Sequence, residues 1–134
     1  MKKIVIIDGQ GGRIGGQLIA ALREKRVEEE IIAIGTNSIA TANMLKYQPD
    51  AAATGENPVI VACRDADIIV GPIGIVIADS LYGEITPAMA AAIGQSRAQR
   101  ILIPINKCDS VVAGVGDASL GTLIQDAVER ICSF

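Results

Sequence analysis

Histidine and tryptophan are absent from this chain, aromatic residues make up only 2% of it, and its three cysteines fall in no CxxC pair. Each absence removes a class of chemistry. Without histidine there is no imidazole to act as general base, to activate a cysteine, or to ligate zinc, and without paired cysteines a transition-metal centre lacks ligands. Cys63, Cys108 and Cys132 are odd in number and widely spaced, which reads as reduced thiols in a cytoplasmic protein. Positive charge is scarce as well. Twelve Lys and Arg against fifteen Asp and Glu leave a net charge of −3, and the cations are dispersed, so the surface does not suit a nucleic-acid backbone. Long apolar runs are also missing. The longest uncharged one near the middle, Ile68 to Ala78, is about half of what a membrane span needs. The N-terminal apolar stretch is only a few residues long and runs into Asp8, unlike a signal peptide.

What remains is aliphatic. Half of the 134 residues are hydrophobic, so the core must be built from Ile, Val, Leu and Ala, a composition that suits strands covered by helices on both faces. This length predicts one domain over residues 1–134. So much aliphatic surface on so small a domain also predicts a homo-oligomer, in the first instance a dimer.

Hydrophobic period and breakers give a regular alternation of strand and helix. Lys3 to Ile7 reads as the first strand, and Arg13 to Arg26 as the first helix with Ile14, Leu18, Ala21 and Leu22 buried. Ile31 to Ile34 is the second strand, followed by a polar turn, Gly35 to Ser38, and a helix whose apolar face is Ile39, Ala42, Met44 and Leu45. After a small-residue segment, Ala51 to Gly55, Asn57 caps a short helix with Pro58 at its first position, ending near Arg64. Asp67 to Val70 is the third strand. The segment IGIVIADSLYGEI from Ile73 reads either as a strand or as a run broken by a turn at Tyr82 and Gly83. Thr86 and Pro87 repeat the cap-and-proline signature for a helix to about Ser96, Arg100 to Ile105 is the fourth strand, and Asp117 caps a final helix with Leu120, Leu123, Ile124, Val128 and Ile131 on one face. Short spacing between strand and helix implies parallel strands and right-handed crossovers. The predicted fold class is therefore α/β, a three-layer α/β/α sandwich of Rossmann type with strand order 3-2-1-4 and room for an extra edge strand.

In such a sheet the ligand site lies at the carboxyl ends of the strands, where the strand order reverses. Four segments meet there: Asp8 to Gly15, Gly35 to Ser38, Gly71 to Gly74, and Asn106 to Asp109. The first is the most informative. Residues 4 to 16 read IVIIDGQGGRIGG, a strand breaking into a glycine cluster that opens a helix, with Gly9, Gly12 and Gly15 in GxxGxxG register. Such a turn lets the backbone approach a pyrophosphate, and the first helical amides, lacking intrahelical partners, point partial positive charge at an anion.

This turn, with Gly9, Gln10, Gly11, Gly12, Arg13, Ile14, Gly15, Gly16, Gln17, Leu18 and Ile19 in order, resembles the opening of the dihydrodipicolinate reductase family, and the same spacing looks like that of extended and atypical short-chain dehydrogenases. The resemblance implies that the backbone from Gly9 to Ile14 wraps the pyrophosphate of NAD or NADP. The whole chain also resembles a small family of uncharacterised bacterial proteins of this length and arrangement, which implies no activity.

The second strand should end in an acid if a ribose diol is to be held as in NAD enzymes. Thr36, Asn37 and Ser38 stand there instead. They suit neutral hydrogen bonds to a ribose 2′-phosphate, or else Asn37 or Ser38 simply caps the next helix. Gly71, Pro72 and Asn106 complete the expected lining. Asn106, Lys107, Cys108 and Asp109 spell NKxD, which resembles the guanine-recognition motif of GTPases, but no Walker loop accompanies it: the nearest match, Gly11 to Gly16, runs on into Gln17 and Leu18. Asp8 either contacts a ligand, through a hydroxyl or a metal carried by phosphate, or bonds the amides of its own turn. Tyr82 has Thr86 where a short-chain dehydrogenase needs lysine, and Cys108 has no histidine to activate it, so no catalytic base or nucleophile is identified. The expected function is a stand-alone nucleotide-binding protein, a cofactor-responsive or accessory subunit. Two alternatives are an oxidoreductase completed at an oligomer interface and a non-enzymatic interaction subunit.

Overall fold

The computed structural model describes residues 1–105 and 109–134. Its elements in chain order are β1 (Lys3–Asp8), α1 (Arg13–Glu24), β2 (Glu30–Gly35), α2 (Ser38–Leu45), β3 (Ala51–Thr54), α3 (Glu56–Cys63), β4 (Ile68–Pro72), a 3-10 turn (Ile73–Val76), α4 (Pro87–Gln95), β5 (Gln99–Ile103) and α5 (Leu120–Ser133). The sheet is parallel throughout, in the order β3-β2-β1-β4-β5. This is the Rossmann-like α/β arrangement and strand order that the sequence predicts, with the extra edge strand present.

Side chains of β1 alternate between two cores. Ile4 and Ile6 pack with Leu18 and Leu22 of α1, Met44 of α2 and Val128 of α5. Val5 and Ile7 pack with Val59 of α3, Met89 and Ile93 of α4, and Ile75, Leu81 and Ile85 of the segment after β4. All four β1 aliphatics are fully buried, each contributing about 2 kcal/mol of transfer free energy, and this fixes β1 as the middle of the sandwich.

Several boundaries differ from the sequence reading. Ala51–Thr54 forms the edge strand β3 although it holds no aliphatic β-branched residue; pairing with β2 supplies what propensity does not. Strands expected third and fourth are consequently β4 and β5. Helix α3 starts at Glu56 with Gly55 as its N-cap, which places Asn57 and Pro58 inside the first turn. Helix α5 is capped by Ser119, whose hydroxyl accepts the Thr122 amide, and not by Asp117. Thr86 does cap α4, accepting from the Met89 amide at 3.1 Å with Pro87 in the first turn. Residues Ile73 to Ile85 contain no strand. They form the 3-10 turn and a compact loop that buries Ile75, Leu81 and Ile85, so their β-branched run serves packing and not pairing. In α2 the buried face is Ala40, Thr41 and Met44, while Ile39 and Leu45 are 66% and 51% exposed.

Candidate functional site

The sheet opens where the strand order turns back. Pairing of β1 with β2 continues to Asp8 beside Gly35, but pairing of β1 with β4 stops at Ile6 beside Val70. Beyond Ile7 and Gly71 the carboxyl ends of β1 and β4 border a cavity of about 310 Å³, lined by Asp8, Gly9 to Ile14, Pro72, Leu81, Ile105 and Leu120. Gly71, expected in the lining, instead allows β4 to lie close to β1: a methyl there would strike the Ile7 carbonyl.

The glycine turn is held by contacts and hydrogen bonds from its neighbours. Gly12 is the N-cap of α1 at φ +71, with its backbone against Ala40. Asn37 donates its side-chain amide to the Gln10 carbonyl at 2.9 Å, and Asn43 donates to the Gly11 carbonyl at 2.6 Å. Because the peptide unit is planar and trans, anchoring the Gln10 carbonyl on α2 turns the Gly11 N–H away from α2. The amides of Gly9 and Gly15 both donate to Asp8, at 2.8 and 2.7 Å. The Gly12 amide donates to the Gly9 carbonyl, and the Gln10 amide to Glu84. Among the described residues, the amides of Gly11 and Arg13 have no hydrogen-bond partner, and both residues line the cavity. The anion donors expected over the whole turn are therefore concentrated at these two groups.

Asp8 ends β1 beneath the first turn of α1, 4% exposed. Burial raises its carboxyl to about 6, with the Glu84 carboxylate adding to the rise and the amides of Gly15, Gly9 and Ile14 opposing it. It bonds its own turn, the second of the two roles left open for it. A methyl on Gly15 would meet Met44 and the Asp8 side chain, so this third glycine serves the close packing of α1.

Outside the cavity lining, against the same turn, lies a second polar cluster. Glu84 Oε1 accepts from the Gln10 amide at 2.8 Å, the Thr36 hydroxyl at 2.6 Å and the Asn37 side chain at 2.8 Å. Burial would raise the Glu84 carboxyl, but these hydrogen bonds together outweigh it and hold it below its usual range. Thr36 and Asn37 are thereby tied to Glu84. Asn37 also accepts the Ala40 amide at 2.8 Å as the N-cap of α2, and Ser38 opens that helix, exposed. Of the expected site residues, Gly9, Gln10, Gly11, Gly12, Arg13, Ile14 and Pro72 come together at the cavity; Gly15, Thr36, Asn37, Ser38 and Gly71 surround it without lining it. Asn106, with Lys107 and Cys108 of the NKCD segment, lies outside the described residues, and Tyr82 is 99% exposed on the loop after β4. Glu84, Leu81 and Asn43 were not evident from sequence. They reach the turn across long sequence separations, and no local motif marks them.

A parallel five-stranded sheet with a glycine turn and an open crevice at its switch point defines this protein as a Rossmann-like α/β domain. The chain belongs to the family described as "Domain of unknown function (DUF3842)", whose pattern matches residues 3–134. No curated protein matches it. Among solved structures, it is similar to a dodecameric FMN-dependent UbiX-like decarboxylase from Escherichia coli O157:H7, with 19% identity and a TM-score of 0.48 over 98% of this chain and 76% of that one. Among the described residues no helix is long and apolar enough to cross a membrane.

Proposed function

We propose that this protein binds a phosphate-bearing nucleotide in the cleft between β1 and β4, with the phosphate on the amides of Gly11 and Arg13. The observation that carries this reading is the pair of unpartnered amides of Gly11 and Arg13, two residues that line, with Asp8 and the rest of the glycine turn, a cavity whose other walls are Pro72, Leu81, Ile105 and Leu120. Apolar walls suit a base or ring, and the amides suit its phosphate. The cavity's size lies at the low end for ligand sites, which favours one nucleotide unit. With no identified base or nucleophile, a binding or accessory role is the simplest reading; the resemblance of the turn to nicotinamide-dependent reductases keeps NAD and NADP among the ligands to be tested. The exposed Ile39 and Leu45 on α2 support self-association as part of the same proposal.

Thermal unfolding with AMP, GMP, nicotinamide mononucleotide, NADH, NADPH, ATP, GTP and coenzyme A tests it, because a ligand that binds only the folded chain raises the Tm. At least one should do so at millimolar concentration. Gly11→Val is the companion variant. A side chain at Gly11 meets nothing within 4 Å, so the fold should tolerate it while the shift with ligand disappears. No shift with any nucleotide overturns the reading.

A further inference from the structure

We infer that Glu84 sets the size of the nucleotide this cleft admits: its carboxylate fills the place where the second ribose of a dinucleotide would lie, so the site selects mononucleotides over dinucleotides. The inference rests on the nucleotide reading above. In dinucleotide folds the adenosine ribose lies beside the glycine turn and bonds an acid at the end of the second strand. Here β2 ends in Gly35 and is followed by Thr36 and Asn37, with no acid among them. The acid comes from the loop after β4, and its Oε1 already takes three donors, from Gln10, Thr36 and Asn37.

The space above Gly9 decides between an acid waiting for a ribose and an acid standing in its place. A methyl built on Gly9 would have Thr36 Oγ1 at 2.6 Å, Glu84 Oε1 at 2.8 Å and Leu81 Cδ1 at 2.8 Å. Thr36, Glu84 and Leu81 therefore pack directly on the Gly9 backbone and take the place beside it. Glu84 is the occupant of that subsite. Its loop is anchored on both sides: Leu81 and Ile85 are buried, the Ile85 carbonyl accepts the Asp79 amide at 2.7 Å, and the Ser80 hydroxyl bonds the Gly74 carbonyl. Asp79, Leu81 and Tyr82 hold left-handed φ of 65°, 55° and 55°, at a cost of about 1 kcal/mol each that the buried Leu81 and Ile85 and the Asp79–Ile85 hydrogen bond offset. The space left open is the cavity between β1 and β4, which Glu84 does not line.

Titration calorimetry on the full chain, with AMP, nicotinamide mononucleotide and NAD⁺ as probes, tests the inference. The wild-type protein should bind one of the mononucleotides at least tenfold more tightly than NAD⁺. Glu84→Ala should raise the affinity for NAD⁺ relative to that for the mononucleotide at least tenfold, whereas Glu84→Gln, which keeps the bulk, should leave that ratio within threefold of wild type. Equal wild-type affinity for the two classes overturns the inference even if the alanine variant does not fold, and so does an alanine variant that binds a mononucleotide but gains nothing for NAD⁺. If no probe binds any of the three proteins, the nucleotide reading itself falls, and this inference with it.

Discussion

Asp8 poses a problem of charge before one of function. Its carboxylate is buried under the first turn of α1 with two backbone amides as its hydrogen-bond partners, and its carboxyl is raised to about 6 from the usual 3.8. The folded state thus binds the Asp8 proton more tightly than the unfolded state does. Asp8 imposes no penalty below about pH 4, and the penalty grows as pH rises through about 6, reaching on the order of 3 kcal/mol above it. Asp8→Asn removes the titration but leaves one of the two amides without an acceptor, a loss that does not depend on pH. Urea unfolding should show the stability of the variant relative to wild type rising by about 1–3 kcal/mol between pH 4 and pH 7.5. Taking the difference between the two proteins cancels carboxylates of opposite sign, such as Asp50, which is held low by the Ile31 amide and by Arg23. A difference that does not vary with pH would mean that the amides of Gly9 and Gly15 stabilise the charge fully.

Helix α1 divides its opening glycines into different tasks. Gly12 combines φ +71 with a backbone contact in which a methyl would lie 2.5 Å from the Ala40 carbonyl oxygen. Gly12→Ala should therefore cost roughly 2–4 kcal/mol, the left-handed penalty plus a clash that backbone cannot relieve. Gly11→Ala, with open space around it, should cost less than about 0.5 kcal/mol. Denaturant midpoints of the two variants check this ordering. A similar contrast holds at α4, where Thr86→Ala removes the acceptor of the Met89 amide and should cost about 1 kcal/mol, and Thr86→Ser should restore most of it. These capping and turn signals were legible because their physics is local: Thr86-Pro87 and the glycine spacing work through adjacent backbone groups. The edge strand Ala51–Thr54 was not, since its order comes from β2 alone. Glu84 was equally hidden, because a residue that docks 47 and 48 positions from Asn37 and Thr36 leaves no mark on the sequence around it.

For the whole molecule, the aliphatic excess that sequence alone predicts to need covering is partly accounted for by two cores, one on each face of the sheet. The remainder lies where the helical period was misread. Ile39 and Leu45 were expected to be the buried face of α2, yet Ala40, Thr41 and Met44 take that role because Met44 has to pack over Gly15, and this turns Ile39, Ala42 and Leu45 outward as a stripe at i, i+3 and i+6. The apolar pattern was legible but its direction was not, since the partner that fixes it sits on another helix. A solvent-facing stripe of this kind on a small domain is expected to be covered by a second copy. Light scattering behind gel filtration should give twice the mass of 13.9 kDa, and Leu45→Glu should return one chain while leaving the Tm in dilute solution within a few degrees. The charge lies on the outer face of α2, away from the glycine turn, so nucleotide affinity should be unchanged in that variant. A wild-type mass of one chain at all concentrations would show that the stripe stays uncovered.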